Sequence, residues 1–375
     1  MTQFLESSGV QPHPGTILSS EAVDIIRRYE AQAEQERQLP QAVLGLIYEQ
    51  QWLKVLVPQS AGGLEKPLPG VVRLFEALAW AGGNTGWCVN LGAGANMFAG
   101  YLDQATSLAI FDTATTWCAG SGAISGRATR VAGGYMLSGH WKYASGANHA
   151  THFTANAYID LTEDHEGLTP TAAPFRSFIV PADKVRNHRN WQATGLQATS
   201  SNDFEIIDVF VPEQHTFSLL QPSDFATNAL YRFPFEAMAV INMTCMITGL
   251  AFHFADEYQR LAINKKPAHQ ELTLEAHPAA AAIYKKVSAR FNEARNKMYH
   301  ALDQLWIVYE SGQTADKSEL EQFIQTCKNA SAASRQLINE LYPLCGMSVL
   351  NGEAPLNKIW RDAMTASQHY LLSPL

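Results

Sequence analysis

From Gly134 to Gly146 the chain reads Gly-Tyr-Met-Leu-Ser-Gly-His-Trp-Lys-Tyr-Ala-Ser-Gly. Alternate residues of a strand share a face. As a strand, this stretch sends Leu137, Gly139, Trp141, Tyr143 and Ser145 one way and Met136, Ser138, His140, Lys142 and Ala144 the other. An aromatic face that closes with a hydroxyl suits a planar, partly polar ring, covered by Trp141 and Tyr143 and held by one hydrogen bond at Ser145. The same pattern fits an ordinary half-buried strand capped by serine. A helical segment with Gly92, Gly94 and Asn96 leaves room for a ligand or simply for another helix. His149 and His152 are three apart but share no helical face and have no third ligand, so they are read as non-metal. Gly120-Ser121-Gly122 with Gly126 neither follows a Rossmann strand nor opens a helix, which rejects a dinucleotide fingerprint. There is no GxSxG elbow and no P-loop.

Three textures must position these residues. Up to about residue 112 apolar residues recur at helical spacing: Val23, Ile25, Ile26 and Tyr29, then Leu44, Ile47 and Trp52, then a helix from about Gly70 to Trp80. From about Thr115, alternation and a rise in Thr, Val, Phe and Tyr replace that period. Arg127–Ala132, a Gly-Gly turn and Tyr135–Ser145 predict a hairpin. Further strands are expected over Thr151–Ile159, Arg176–Val180, Trp191–Gly195 and Asp203–Val211. No helical period interrupts them, so the expectation is an antiparallel sheet, sandwich or small barrel rather than βαβ units. From about Ser218 the chain is helical to its end, with Ala279–Tyr309 and Glu319–Leu341 strongly amphipathic. The expected fold class is α+β: an N-terminal helical domain (1–112), a central β-domain (113–217) and a C-terminal up-down four-helix bundle (218–375).

Composition narrows the functions open to such a fold. Hydrophobic residues make up 46% and charged residues 17% of 375, a balance that supports a large core. The formal charge of -8 argues against nucleic acid or an anionic membrane as partner. No uninterrupted apolar run of bilayer length is read, and Met1–Ser7 shows no secretory pattern. Cys88, Cys118, Cys245, Cys327 and Cys345 are odd in number and far apart, which suits free thiols in a reducing cytoplasm.

Helix–β–helix order, the stretch Gly133–Gly146, Gly195-Leu-Gln-Ala-Thr-Ser-Ser-Asn-Asp203 with Val209-Phe-Val-Pro212, and Trp360-Arg-Asp-Ala-Met-Thr-Ala-Ser-Gln-His369 together resemble the acyl-CoA dehydrogenase fold superfamily. The likeness is greatest to its two-component flavoprotein monooxygenases, which take reduced flavin from a separate reductase. The resemblance implies a homo-oligomeric oxidoreductase, a tetramer or dimer, that oxygenates a small aromatic or heteroaromatic substrate through a flavin hydroperoxide on FAD or FMN. It implies that Ser145 bonds the flavin near N5, with Trp141, Tyr143 and Gly146 on or behind the ring. Thr199, Ser200 and Ser201 fall where relatives contact the ribityl and phosphate portion. Gly120, Ser121 and Gly122 fall at the flavin and substrate, and Asn96 where relatives carry a histidine facing oxygen. His369 falls where a histidine assists oxygen activation or substrate deprotonation. Departures are Gln197, where the family usually carries Arg, and a short stretch around Asn264–His277, where Arg260 remains as a phosphate partner. No carboxylate occupies Ser367–Leu375, so the usual dehydrogenase base is missing there. Two alternatives stay open: a dehydrogenase acting on CH–CH groups with its base at Glu236, Glu257 or Glu353, and a degenerate, non-catalytic relative serving binding or assembly.

Overall fold

The computed structural model describes residues 11–160 and 174–373, and the amino-terminal stretch read for targeting lies outside them. Five helices come first: α1 (Ser20–Glu36), α2 (Gln41–Glu49), α3 (Leu68–Ala81), α4 (Gly83–Asn96) and α5 (Gln104–Phe111). Ser19 opens α1 by accepting from the Ala22 N–H, and Arg37 closes it with a left-handed φ of 53°. Seven strands follow: β1 (Cys118–Val131), β2 (Gly134–Ala144), β3 (His152–Ile159), β4 (Phe175–Pro181), β5 (Arg186–Asn187), β6 (Asn202–Pro212) and β7 (Thr216–Phe217). The last group is α6 (Ala229–Arg232), α7 (Phe235–Asn264), α8 (Pro278–Glu310), α9 (Lys317–Leu341) and α10 (Pro355–Ala366).

The strands form one sheet in the order β5-β6-β2-β1-β3-β4-β7. The hairpin β1–β2 turns at Gly133, whose φ of +79° is left-handed. The expectation of a wholly antiparallel sheet is corrected at one place: β3 runs parallel to β1. A short loop carries the chain past β1 instead of back along β2. Trp191–Gly195 is not a strand. Gly195 and Leu196 there donate instead to Thr365 Oγ1 and Asp362 Oδ1 of α10, at 3.0 and 2.6 Å.

Packing divides the molecule differently from the sequence textures. One core joins Phe75, Leu78 and Val72 of α3 to Ile241 and Cys245 of α7 and Met298 and Leu302 of α8. A second joins Trp87 of α4 to α7, α9 and α10. The sheet keeps a core of its own around Trp141, Phe153, Phe178 and Phe204. The early and late helices thus form a single helical body. At its centre α7 packs against α3, α9 and α10. This helix corrects the reading that no segment is apolar over a bilayer's length: by length and composition α7 qualifies, but 83% of its apolar window is buried inside the protein. Helices around it cover its central turns, where every residue from Val240 to Ala251 is buried.

Candidate active site

A cavity of ≈ 360 Å³ lies where the helical body meets the sheet. Each wall comes from a different element. α4 supplies Asn90, Leu91 and Gly94; the start of β1 supplies Gly120, Ser121 and Gly122; β3 supplies Thr154 and Asn156; the first turns of α7 supply Phe235, Met238 and Asn242. Ser145, just past β2, and His369 and Tyr370, just past α10, complete it. The size matches a small-molecule site. Phe98, Phe217, Leu219 and Met243 make the rest of the lining apolar.

Chain geometry fixes Ser145. Opposite β6, Trp141 pairs with Phe204 but Ala144 pairs with Asn202, so β2 has one residue too many. That bulge is Tyr143, in a left-handed conformation with φ 69°. The bulge ends the simple alternation. Tyr143 flips out and is 65% exposed, while Ala144 and Ser145 turn inward. At Gly146, with φ +80°, the chain bends away, and a Cβ there would stand 2.6 Å from Trp117 Nε1. The indole of Trp117 also occupies the space left by Gly92 of α4. The small residues of α4 therefore serve packing at Gly92 and the cavity at Gly94.

His369 is fixed by α10. Asp362, fully buried, accepts from the Leu196 N–H at 2.6 Å and from Lys358 Nζ at 2.6 Å. Arg361 donates to the Thr194 carbonyl at 2.7 Å. The Arg-Asp pair therefore clamps α10 to the loop before β6, and His369 follows seven residues later, just past the helix. Burial lowers the His369 pKa, which keeps the ring neutral. Its Nδ1 accepts from the Leu371 N–H at 3.4 Å, which assigns the neutral ring's proton to Nε2.

One residue that the sequence reading missed joins both predicted catalytic groups. The Trp87 ring meets the His369 ring edge-on at 6.1 Å, and its Nε1 donates to Ser145 Oγ at 2.9 Å. Asn90 and Asn242 were also missed. Each lines the cavity, and each has a buried Oδ1 with no hydrogen-bond partner. Their signal is an asparagine inside an apolar helical run, Cys-Val-Asn-Leu and Val-Ile-Asn-Met, where asparagine is a poor helix former.

The other expected positions divide. Gly120, Ser121, Gly122, Ser145 and His369 come together around the cavity. Asn96 does not. Its amide donates to the Leu53 and Thr116 carbonyls and its oxygen accepts from the Cys118 N–H, so it braces α4 against β1. The cavity-facing position is six residues earlier, at Asn90. Trp141 is wholly buried in the sheet core, stacked on Phe204 and donating to the Asn156 carbonyl, away from the cavity. Thr199 and Ser200 are buried, with hydroxyls donated to the Leu196 and Arg37 carbonyls, and neither lines this cavity. Gln197 reaches only the neighbouring Thr194 carbonyl. Tyr143 and Ser201 line a second hollow of ≈ 340 Å³ with Lys142, Asn190, Trp191, Gln192 and Asp203. The 2.8 Å contact of Ser145 Oγ with Ser201 Oγ is the partition between the two hollows. Arg260 is paired with Glu257. No group of metal-ligating side chains occurs among the described residues.

Residues 241–374 match the family described as acyl-CoA dehydrogenase, C-terminal domain. The solved structure of XiaF from Streptomyces sp. in complex with FADH2 and glycerol superposes with a TM-score of 0.85 at 24% identity, over 94% of this chain and 92% of that one. The chain has an acyl-CoA dehydrogenase-like fold. Among curated relatives, the flavin-dependent monooxygenase oxygenase subunit HsaA of Mycobacterium tuberculosis is 24% identical over 357 residues, 92% of this chain and 89% of the relative. The indole-3-acetate monooxygenase of Acinetobacter baumannii is 22% identical over 317 residues, 84% and 79% of the two chains. In this acyl-CoA dehydrogenase-like chain the C-terminal match takes in Asn242 and His369, whereas the Ser145 wall lies outside it.

Proposed function

We propose that this protein is the oxygenase component of a two-component flavin-dependent monooxygenase acting on a small aromatic or heteroaromatic molecule. One observation carries the reading. His369 and Tyr370 are the only titratable groups among the described residues that line the cavity, and no carboxylate is present there. A dehydrogenase of this fold must remove an acidic proton with a carboxylate base. Glu236 and Glu353 are exposed, Glu257 is held by Arg260, and none of the three reaches the lining. A neutral, largely apolar chamber suits oxygen chemistry, which requires that water and stray protons be kept out. The names of the relatives agree with this choice.

The donor set fits a reduced flavin, FAD or FMN. The Ser145 hydroxyl oxygen presents an acceptor to a ring rich in N–H groups, and the neutral Asn90 and Asn242 side chains line the same cavity. Tyr143 and Trp191, at 6.1 Å edge-to-face, offer aromatic surface in the second hollow, and Lys142 offers a positive charge there. A bound reduced flavin supplies the two electrons by which dioxygen is divided between product and water. Around it, Phe98, Phe217 and Phe235 exclude water, Ser145 and the asparagines orient the ring and substrate, and neutral His369 donates a proton at Nε2. A separate flavin reductase delivers the cofactor, and the chain acts as a dimer or tetramer. Five free, buried cysteines suit a cytoplasmic setting.

The test is anaerobic titration with reduced FMN and reduced FAD, followed by admission of oxygen with a panel of phenols and indoles. The reading expects one reduced flavin to bind and a hydroxylated product to form only with oxygen. Turnover without oxygen, on an artificial electron acceptor, would overturn it in favour of dehydrogenation. A protein that bound neither flavin would be the degenerate scaffold.

A further inference from the structure

Three buried hydroxyls form a chain that ends at a carbonyl. Ser145 Oγ lies 2.8 Å from Ser201 Oγ, Ser201 Oγ lies 2.7 Å from Thr199 Oγ1, and Thr199 Oγ1 lies 2.9 Å from the Leu196 carbonyl oxygen. All three side chains are at least nine-tenths buried. Three hydroxyl protons serve three bonds, and a carbonyl can only accept. The direction is therefore unique: Thr199 donates to Leu196, Ser201 donates to Thr199, and Ser145 donates to Ser201. From the opposite side the Trp87 N–H donates to Ser145 Oγ at 2.9 Å. Ser145 thus has no proton left for the cavity it lines, but it keeps one lone pair.

We infer that Ser201 and Thr199, through this relay, hold Ser145 as an acceptor-only wall that selects reduced over oxidised flavin. The inference rests on the flavin reading given above and goes further by naming residues that act through Ser145. The chemistry is that of the flavin's central ring. Its N5 carries an N–H in the reduced form and a bare lone pair in the oxidised form. An oxygen that can only accept bonds the first and faces the second lone pair to lone pair. A buried acceptor left without a donor is destabilised. Ser201 and Thr199 are positioning residues: neither lines the main cavity, and their hydroxyls reach it only by way of Ser145.

The test measures dissociation constants for oxidised and for anaerobically reduced FMN and FAD, in the full-length protein and in Ser201→Ala and Thr199→Val. In either variant the relay is cut and Ser145 regains a proton that it can turn toward the cavity. The ratio of oxidised to reduced dissociation constants should fall by roughly tenfold in both, mainly because the oxidised form binds better. The reduction potential of the bound flavin should move in step. A general loss of packing weakens both redox forms alike, so the ratio separates the relay from a structural defect. Thr199→Val conserves volume, which guards against a failure of Ser201→Ala to fold. An unchanged ratio in both variants would overturn the relay and leave the flavin reading standing. A wild-type protein that binds neither redox form would overturn both.

Discussion

Two buried polar regions of this molecule are built on opposite rules. Beneath α10, Lys358 Nζ lies 2.6 Å from Glu30 Oε2, 2.6 Å from Asp362 Oδ2 and 3.7 Å from Glu34 Oε1, and Arg361 joins Glu34 at 3.4 Å. Burial alone would lower the Lys358 pKa, but the carboxylates of Asp362, Glu30 and Glu34 together hold it above its ordinary value. A second such pair, Arg295 with Glu76 at 2.6 Å, braces α8 against α3. The cavity a short distance along the chain holds no fixed charge and leaves asparagine oxygens without partners. Charge is placed where nothing has to enter, because a buried ion pair is tolerable only when its geometry is closed. Neutral side chains are placed where a ligand enters. A closed network makes a frame and an open one makes a site.

The sharpest way to break this contrast is to open the closed network. Lys358→Met removes the cation that three carboxylates share and should cost about 3–5 kcal/mol of stability in a denaturant titration. A loss under about 1 kcal/mol would mean that the network is not part of the frame. A neutral buried group can be broken by acid instead. His149 accepts from the Leu39 N–H at Nε2, and burial pushes its pKa from 6.5 down to about 4. Its folded-state pKa is depressed, so the stability it supports is complete above pH 6.5 and declines as pH falls toward 4, by up to about 3 kcal/mol. His149→Gln should flatten that part of the stability profile, and an unaltered slope would assign the acid sensitivity elsewhere.

In the open region the effects move from stability to function. His369→Gln keeps a polar side chain but cannot transfer a proton, and should lower product per reduced flavin by about a hundredfold. Unchanged yield would remove His369 from the reaction. The smallest effects come from the two asparagines of α4, and they should separate cleanly. Asn96→Ala leaves three backbone groups unpaired and should cost about 2 kcal/mol with little change in flavin affinity per folded molecule. Asn90→Ala removes one bond, the 2.8 Å donation to the Asn242 carbonyl, and should cost about 1 kcal/mol or less while changing ligand affinity. The reverse pattern would put the site at Asn96.

The order of helices, strands and helices was legible because each texture persists for about a hundred residues and its period follows from backbone geometry. The division into three parts was less so. Apolar periodicity says which face of α3 or α7 is buried, not that the two faces meet across more than 150 residues of intervening chain. Ser145, His369 and Gly120–Gly122, named through the resemblance, are brought together around one cavity. Tyr143 was placed inward because strict alternation was carried through a bulge, and a one-residue insertion reverses the faces beyond it. Asn96 and Asn90 lie six residues apart on one helix, which sets their side chains about 120° apart, but spacing does not say which of the two faces the cavity. Only the carbonyls of Leu53 and Thr116 decide between them. Thr199, Ser200 and Ser201 are expected from the resemblance at the ribityl and phosphate portion, and sequence alone does not show that Thr199 and Ser201 also connect to Ser145.

The most direct measurement supplies the purified protein with reduced flavin, an accepted phenol or indole and ¹⁸O-labelled dioxygen, and reads the isotope in the product by mass spectrometry. The account predicts one labelled oxygen atom per product molecule, with the second released as water. Product that carries no label, or whose oxygen derives from solvent, would contradict a monooxygenase built around Ser145 and His369.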